Sequence, residues 1–239
     1  MPTPVLSAPA SSPTLALRDV RFGYTRRKEV LRGVTVAFPP GRTVLLGPNG
    51  AGKSTLLRLA AGLTSPRTGT VTLDGATHWH LLRAAVGYLP QHVSPMPGLT
   101  VLDAVRYAAW LGGLSAKASL ASARGALAQV GLSDKADERS TRLSGGQLRR
   151  MGLASALACR PRVLLLDEPA AGLDPAQRVG LREILTALPA DLPVVVSTHD
   201  LADVEDAFDH VCVLADGRVR WKGSPANLLA LDAQRRARA

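Results

Sequence analysis

One stretch in the first quarter of the chain has the residue types and the spacing of a phosphate-binding loop. It fits G-x-x-x-x-G-K-[ST] at every fixed position. The glycines allow consecutive backbone N–H groups to point at one anion, and a following helix would add the positive end of its dipole. Lys53 would reach the β- and γ-phosphates of a nucleotide, Ser54 would give an oxygen to Mg²⁺, and Thr55 would contact the α-phosphate. The loop consists of Gly47, Pro48, Asn49, Gly50, Ala51, Gly52, Lys53 and Ser54.

A plain glycine-rich turn between a strand and a helix is the alternative interpretation. Such a turn has no need of a lysine followed by a serine. The flanking residues also favour the binding loop, since Thr43–Leu46 is typical of a short buried strand and a helix is predicted from Ser54. Gly62 is predicted to end that helix. Its apolar residues recur at helical spacing: Leu56, Leu59, Ala60 and Leu63.

Two adjacent acids follow a second apolar segment. The predicted strand Val163–Leu166 would deliver Asp167 and Glu168 at its carboxyl end, which is the edge of an open α/β sheet where ligands bind. Asp167 suits Mg²⁺ coordination through water, and Glu168 would polarise the water that attacks a γ-phosphate. A pair of exposed loop acids is the alternative, and the presence of the phosphate-binding loop argues against it.

The remaining pattern predicts an α/β fold with a mainly parallel sheet. An antiparallel β subdomain would come first, and a helical subdomain at about 95–158 would be inserted, because Leu99–Ala158 is rich in Ala and Leu and contains no good strand. Helices are also predicted at Pro175–Leu188 and in the tail from Ser224. Further strands are predicted at Leu15–Phe22, Val30–Phe38, Thr70–Leu73, Val86–Leu89 and Val194–Val196, with a hairpin formed by Val211–Leu214 and Arg218–Lys222.

Length and composition fit one globular unit. The chain has 239 residues, of which 46% are hydrophobic, and its longest apolar stretches fall far short of the ~20 residues of a membrane-spanning helix. We expect a disordered leader at 1–13 without a secretory signal, a domain at 14–224 and a basic helical tail at 225–239. Cys159 and Cys212 have neither disulfide nor zinc-site spacing, which favours buried, inert thiols in a reducing cytoplasm.

The chain carries a formal net charge of +10, with basic clusters at Arg26–Lys28 and Arg235–Arg238. Such a surplus favours polyanionic neighbours, either nucleic acid or the anionic inner leaflet of a membrane. A solvated arginine-rich surface is an equally good interpretation, because charge alone does not choose between the three.

The segment Leu143-Ser144-Gly145-Gly146-Gln147 is the signature that separates ABC (ATP-binding cassette) ATPases from other P-loop proteins. From about Leu15 to Gly223 the chain resembles that family. It departs slightly at Ala170 and Ala171, where many relatives carry Thr or Ser. Other family elements follow in the expected order: Tyr24, Gln91, Gly172-Leu173-Asp174 and His199.

The resemblance implies a role for each of these residues. Tyr24 would stack on adenine, Gln91 would sense the nucleotide through Mg²⁺ or the attacking water, and His199 would contact the γ-phosphate and orient that water. With Lys53 and Glu168, Gln91 and His199 make up the predicted catalytic set.

The signature segment and Asp174 of one copy would close on ATP held by another copy. The signature residues concerned are Ser144, Gly145, Gly146 and Gln147. Local alternatives stay open at two of these points. Ser144 with Gln147 is also a capping box, and Asp174 before a proline is also a helix N-cap. At Tyr24 a further alternative applies, because Phe22 and Tyr24 alternate like ordinary strand residues and one of them is predicted to lie in the core.

Taken as a whole, the resemblance implies an ATPase that uses ATP and Mg²⁺ and pairs as a homodimer or heterodimer of cassettes. It would serve a separate transmembrane permease from the cytoplasmic face of the cell membrane, as a peripheral subunit, and no specific nucleic-acid partner is expected. The segment Tyr88–Gly113 is similar to cassettes of drug or antibiotic exporters, although metal-importer cassettes share parts of it, so export is predicted. The alternative is a soluble ABC ATPase that acts on ribosomes or nucleic acid, and a P-loop kinase or GTPase would leave Leu143–Gln147 unexplained.

Overall fold

The fold is described by a computed structural model that covers residues 14–200 and 208–236, with side chains through residue 230. The predicted leader and the last three residues lie outside this range. Nine strands are described: β1 (Leu15–Phe22), β2 (Leu31–Phe38), β3 (Arg42–Leu46), β4 (Thr68–Leu73), β5 (Val86–Leu89), β6 (Val163–Asp167), β7 (Val194–Thr198), β8 (His210–Ala215) and β9 (Arg218–Gly223). Seven α-helices are described: α1 (Lys53–Ala60), α2 (Trp79–Ala85), α3 (Val101–Leu111), α4 (Ala116–Gln129), α5 (Gly145–Ala158), α6 (Pro175–Ala187) and α7 (Pro225–Arg236).

A six-stranded sheet forms the centre of the molecule, in the order β5-β6-β7-β3-β8-β9. Its strands are parallel except for β9, which pairs antiparallel with β8. Strands β6 and β7 are buried along their whole length, which explains the unbroken apolar runs Val163–Leu166 and Val194–Val196 within them. A second, three-stranded antiparallel sheet has the order β2-β1-β4. The predicted fold class is confirmed by this architecture.

The central sheet separates two hydrophobic clusters. Val163 and Leu165 of β6 point into the cluster that contains α1 and the antiparallel sheet. Leu164 and Leu166 point the other way, into the cluster that contains α3, α4, α5 and α6. Because successive side chains of a strand face opposite sides, one apolar strand contributes to both clusters and fixes its carboxyl end between them.

The helices between β5 and β6 pack on one another, as the inserted helical subdomain requires. Each begins at a hydroxyl that caps its first turn: Thr100 for α3, Ser115 for α4 and Ser144 for α5. The helical character of this region is as predicted, and the exact bounds of the subdomain stay a prediction.

Three local predictions have clear outcomes. Gly62 ends α1 in the left-handed conformation, with a φ of 68°, as predicted. Leu63 was counted among the apolar residues of α1, which is wrong: α1 ends before Gly62, and Leu63 lies beyond it and is exposed. The hairpin β8–β9 turns at Asp216-Gly217, both with positive φ, as that pair of residues favours. Helix α2 was not predicted, because seven residues are too few for a clear period.

Candidate active site

Strand register brings the predicted site residues to one edge of the central sheet. Leu46 at the end of β3 pairs with Thr198 at the end of β7, and Asp167 at the end of β6 pairs with Ser197. The three strands therefore end side by side. The phosphate-binding loop, the second acid and the histidine follow these ends directly, and the N–H of Gly47 donates to the carbonyl of Thr198 across 3.2 Å.

The loop from Gly47 to Ser54 has a backbone shape that requires glycine at several points. A Cβ on Gly47 would lie 2.1 Å from the carbonyl oxygen of Leu214. Gly50 and Gly52 have φ values of 81° and 104°, in the left-handed region. Gly52 also precedes the first turn of α1, which has no capping side chain and no acid. Uncapped N–H groups at a helix start, under a glycine-lined cradle, fit the phosphates of a nucleotide.

Lys53 lies inside this cradle and is buried. Its Nζ donates to the carbonyl of Gly47 across 2.8 Å and to that of Pro48 across 3.3 Å. The same Nζ lies 3.2 Å from Oε1 of Glu168. A buried ammonium needs such partners, and a phosphate that entered the loop would meet a positive charge already held at its base.

Asp167 is almost fully buried, at 2% exposure, and three side chains donate to its carboxylate. Oδ1 accepts hydrogen bonds from Ser54 Oγ at 3.0 Å and from Ser197 Oγ at 2.7 Å. Oδ2 accepts one from the hydroxyl of Tyr88 at 3.3 Å. Burial, together with the charge of Asp167, raises the pKa of Tyr88, so this phenol stays a proton donor.

Glu168 occupies a strained position, with a φ of 47° that non-glycine residues seldom adopt. Strain of this kind costs about 1–3 kcal/mol and is typical of functional sites. Its N–H donates to Ser197 Oγ across 2.9 Å, and its Oε2 lies 3.4 Å from Nδ1 of His199. The carboxylate therefore lies between Lys53 and His199, whose side chain is half exposed.

The prediction that one of Phe22 and Tyr24 lies in the core is confirmed. Phe22 is buried in the core, whereas Tyr24 is 61% exposed. The two rings meet edge to face with their centroids 5.1 Å apart. The hydroxyl of Tyr24 lies 3.2 Å from Thr55 Oγ1, so an exposed aromatic face stands beside the start of α1.

Gln91 follows β5, and the structure fixes its backbone through a residue that the sequence did not single out. The guanidinium of Arg149 donates to the carbonyls of Pro90 and Gln91 and, at 3.3 Å, to that of Ala171. Burial lowers the pKa of Arg149, and Asp167 and Glu168 oppose that effect. Arg149 thus connects α5 to the loops that follow β5 and β6.

The signature residues and Asp174 lie apart from the loop at 47–55. The predicted capping box is present, because Gln147 N donates to Ser144 Oγ across 3.3 Å and Ser144 N donates to Gln147 Oε1 across 2.9 Å. Asp174 caps α6 through Gln177 N at 2.8 Å, also as predicted. A Cβ on Gly146 would lie 2.7 Å from the side chain of Gln177, so the two helix starts are packed together. Within residues 14–200 and 208–236, no hydrogen bond or ion pair joins these two starts to residues 47–55.

Three site residues were missed by sequence reasoning: Ser197, Tyr88 and Arg149. Tyr88 was included in the predicted strand Val86–Leu89 but was given no role, and Ser197 comes directly after the predicted strand Val194–Val196. A signal existed only for Ser197, a hydroxyl one position before the end of a strand that borders the acids. The roles of Tyr88 and Arg149 depend on contacts across 79 and 58 residues of sequence, which no local pattern reveals.

A glycine cradle, a buried lysine and two carboxylates at the carboxyl edge of a parallel sheet define a P-loop nucleoside triphosphatase. The family model described as "ABC transporter" matches residues 31–171, which is more than half of the chain. The chain belongs to this family, as an ATP-binding subunit of ABC transporters, and such subunits are ATPases.

Relatives match nearly the whole chain. It is 38% identical to the phosphonates import ATP-binding protein PhnC of Thiobacillus denitrificans, over 90% of this chain and 89% of that protein. It is also 38% identical to the zinc import ATP-binding protein ZnuC of Halorhodospira halophila, over 92% and 81% of the two chains. The Nod factor export ATP-binding protein I of Burkholderia lata is 38% identical, over 88% and 70%.

Solved structures agree with this assignment. The structure of CbiO1 from Clostridium perfringens, described as part of the ABC transporter complex CbiONQ, superposes with a TM-score of 0.79 at 28% identity and covers 90% of both chains. Among the described residues of the present chain, no helix is both long and apolar enough to cross a membrane.

Proposed function

We propose that this chain binds ATP with Mg²⁺ at the carboxyl edge of its central sheet, hydrolyses it, and drives a solute across a membrane through a separate permease chain. The observation that supports this most strongly is the contact set at the ends of β3, β6 and β7. There Lys53 meets Glu168 at 3.2 Å and Ser54 meets Asp167 at 3.0 Å. Phosphate binding, cation binding and water activation would take place at adjacent atoms.

The oxygen atoms of Ser54 and Asp167 fit a magnesium ion. These two oxygens are adjacent, and hard oxygen ligands are the kind that Mg²⁺ prefers in protein sites. Ser197 and Tyr88 hold the carboxylate of Asp167 in place. Bound there, Mg²⁺ would neutralise charge on the β- and γ-phosphates. Gln91 is proposed as a further ligand from the loop after β5.

Glu168 is proposed as the base. As water attacks the γ-phosphorus, one of its protons passes to the Glu168 carboxylate, and the bond from the γ-phosphorus to the β–γ bridging oxygen breaks to leave ADP and phosphate. His199, whose Nδ1 lies 3.4 Å from Oε2 of Glu168, would contact the γ-phosphate and help to orient the attacking water. Lys53 would hold the charge that develops on the phosphate oxygens.

We further propose that the active assembly is a pair of cassettes, either two copies or two related chains. The capping box satisfies the N–H groups of Ser144 and Gln147, and the N–H groups of Gly145 and Gly146 at this exposed helix start suit an anion presented by another molecule. Head-to-tail pairing would set this helix start of one copy against ATP on the loop at 47–55 of the other. Asp174 acts as a cap in the single chain, and its contact across the pair belongs to this proposal.

The permease would dock on the helical subdomain. An exposed groove there contains a stacked aromatic pair, Tyr107 and Trp110, with ring centroids 6.0 Å apart. Leu111 beside it is 63% exposed. The full lining is Leu99, Asp103, Arg106, Tyr107, Trp110, Ala116 and Ser119. Exposed aromatic and aliphatic side chains with one charge of each sign suit a short amphipathic helix of the membrane chain. The ATPase would then work as a peripheral subunit on the cytoplasmic face.

Export stays a prediction. The relatives reported above include importers of phosphonates and zinc and an exporter of Nod factors, at the same 38% identity. The same three relatives are named as transporter subunits, which gives the alternative role on ribosomes or nucleic acid no support.

The full chain, expressed with a membrane protein of several apolar spans encoded by a neighbouring gene, tests the proposal. We expect co-purification in detergent, ATP hydrolysis that requires Mg²⁺, and ATP-dependent solute movement when the complex is placed in vesicles. Purified ribosomes and plain duplex DNA serve as competitor partners. Stable binding to either one, with no complex formed with the membrane protein, would replace the transporter proposal by the alternative.

A further inference from the structure

The turn that carries Tyr24 lies at the end of β1, beyond the point where its neighbour β4 pairs with it. The last paired residues are Arg21 and Thr68. One further backbone hydrogen bond follows this pair: the N–H of Arg67 donates to the Arg21 carbonyl across 2.8 Å. Pro66 comes before Arg67 and has no N–H to donate. The backbone ladder therefore stops two residues before Gly23.

The side chain of Arg67 continues where this ladder stops. Its Nη2 donates to the carbonyl of Gly23 across 2.8 Å and also to the carbonyl of Thr25. Arg21, Gly23 and Thr25 are alternate residues at the end of β1 and in the turn that follows it, and the carbonyls of all three accept from Arg67. One arginine satisfies all three, with its backbone N–H on the first and its guanidinium on the other two.

The two carbonyls that the guanidinium holds are those of the residues on either side of Tyr24. The other contacts of the Tyr24 side chain are weaker constraints: an edge contact with Phe22 at 5.1 Å and a hydroxyl contact with Thr55 at 3.2 Å. With 61% of Tyr24 exposed, its ring has little packing to restrict it. The orientation of the ring therefore depends on how firmly the backbone at 23–25 is held.

We infer that Arg67 is a positioning residue for base recognition: it fixes the backbone on both sides of Tyr24, so that the ring is ready to stack on adenine. The inference rests on the proposed nucleotide site. Arg67 acts on the base of ATP through Tyr24, whereas Lys53 and the loop act on the phosphates, so the two contributions to binding can be measured separately. A fixed ring also loses less conformational freedom when a base stacks on it.

The test compares ligands with and without a base on the full chain, by calorimetry. Arg67→Ala should weaken binding of ATP about fivefold and leave binding of inorganic tripolyphosphate unchanged. Tyr24→Ala should weaken ATP binding about tenfold, as expected for the loss of one base–aromatic stack. The double variant should bind ATP no more weakly than Tyr24→Ala alone, because Arg67 acts through the ring. Arg67→Lys should recover part of the affinity.

Arg18→Ala is the matched control, since Arg18 is an exposed arginine of β1 that pairs with Thr70 away from the turn. It should leave both affinities unchanged. Equal weakening of ATP and tripolyphosphate by Arg67→Ala, or effects of Arg67→Ala and Tyr24→Ala that multiply in the double variant, would overturn the inference. Failure of the unaltered chain to bind either ligand would instead overturn the proposed function.

Discussion

The ammonium of Lys53 and the carboxylate of Glu168 lie 3.2 Å apart and are both buried, although 115 residues separate them in sequence. The loop after β3 supplies the first and the end of β6 supplies the second. Because the two groups are buried and paired, each charge is held where it would act. The ammonium lies where the phosphates would bind, and the carboxylate lies where the attacking water would bind.

Replacing Lys53 by alanine should weaken ATP binding about 100-fold, because charge-assisted contacts to two phosphates are lost. Calorimetry on the full chain measures this directly. Arg58→Ala is the matched control, since Arg58 is an exposed cation on the same helix and should leave the affinity unchanged. Circular dichroism should show a folded variant. Unchanged ATP affinity in Lys53→Ala would refute the assignment of residues 47–54 as the phosphate-binding loop.

Replacing Glu168 by glutamine keeps the shape of the side chain and removes the base. ATP should still bind, while hydrolysis should fall by about 100-fold or more, the range typical of a lost general base. Slow hydrolysis should trap a closed pair of cassettes, visible as a dimer by size-exclusion chromatography in ATP. Glu183→Gln, an exposed acid on α6, is the control and should behave like the unaltered chain. Turnover close to normal would remove Glu168 as the base.

The parts of the site that were predicted from the sequence are those formed by residues adjacent in the chain. Residues 47–54 form one loop, Asp167 and Glu168 follow one strand, and the caps at Ser144 and Asp174 each need only three residues of sequence. Long-range partners were not predictable in this way. Ser197 is joined to Asp167 only because β6 and β7 end side by side, and Arg67 is joined to Gly23 only because β4 begins beside the end of β1.

Fold prediction had a similar limit. Strands β6 and β7 were predictable because burial on both faces requires an unbroken apolar run. Helix α2 was missed because its seven residues are too few to establish a period. The error at Leu63 arose because apolar spacing continued past Gly62, where the left-handed turn takes the chain out of the helix.

The thiol of Cys212 should be unreactive in the folded protein. Burial raises its pKa to about 12, so the neutral form predominates at a pH of about 8.5, where an ordinary thiol is half ionised. Burial also raises the pKa of Cys159, which is less buried. The neutral Cys212 thiol makes its full contribution to the free energy of unfolding below the unfolded-state pKa of about 8.5. That contribution is lost as the pH rises towards about 12.

Iodoacetamide at a pH of about 8.5, followed by intact-mass measurement, checks this. We expect no label on Cys212 in the folded chain and full labelling of both cysteines in guanidinium. Rapid labelling of Cys212 under native conditions would contradict the buried position of β8 in the sheet.

Mixing two inactive variants tests whether one site is shared between two chains. Lys53→Ala removes phosphate binding on the loop, and Gly145→Asp places a negative charge at the start of α5. A Cβ at Gly145 meets nothing within 4 Å, so the second variant should fold normally. In a head-to-tail pair of the two variants, one site combines both damaged parts and the other combines both intact parts. The mixture should therefore hydrolyse ATP although neither variant does so alone.

Gly125→Asp is the matched control for Gly145→Asp, because a Cβ there also meets nothing within 4 Å and it adds the same charge to another helix. It should be active alone. The mixture should be assayed over a range of ratios, with hydrolysis highest near equal amounts, since only mixed pairs contain an intact site. Complete inactivity at every ratio would contradict independent shared sites. Full activity of Gly145→Asp alone would show that the start of α5 does not meet a γ-phosphate.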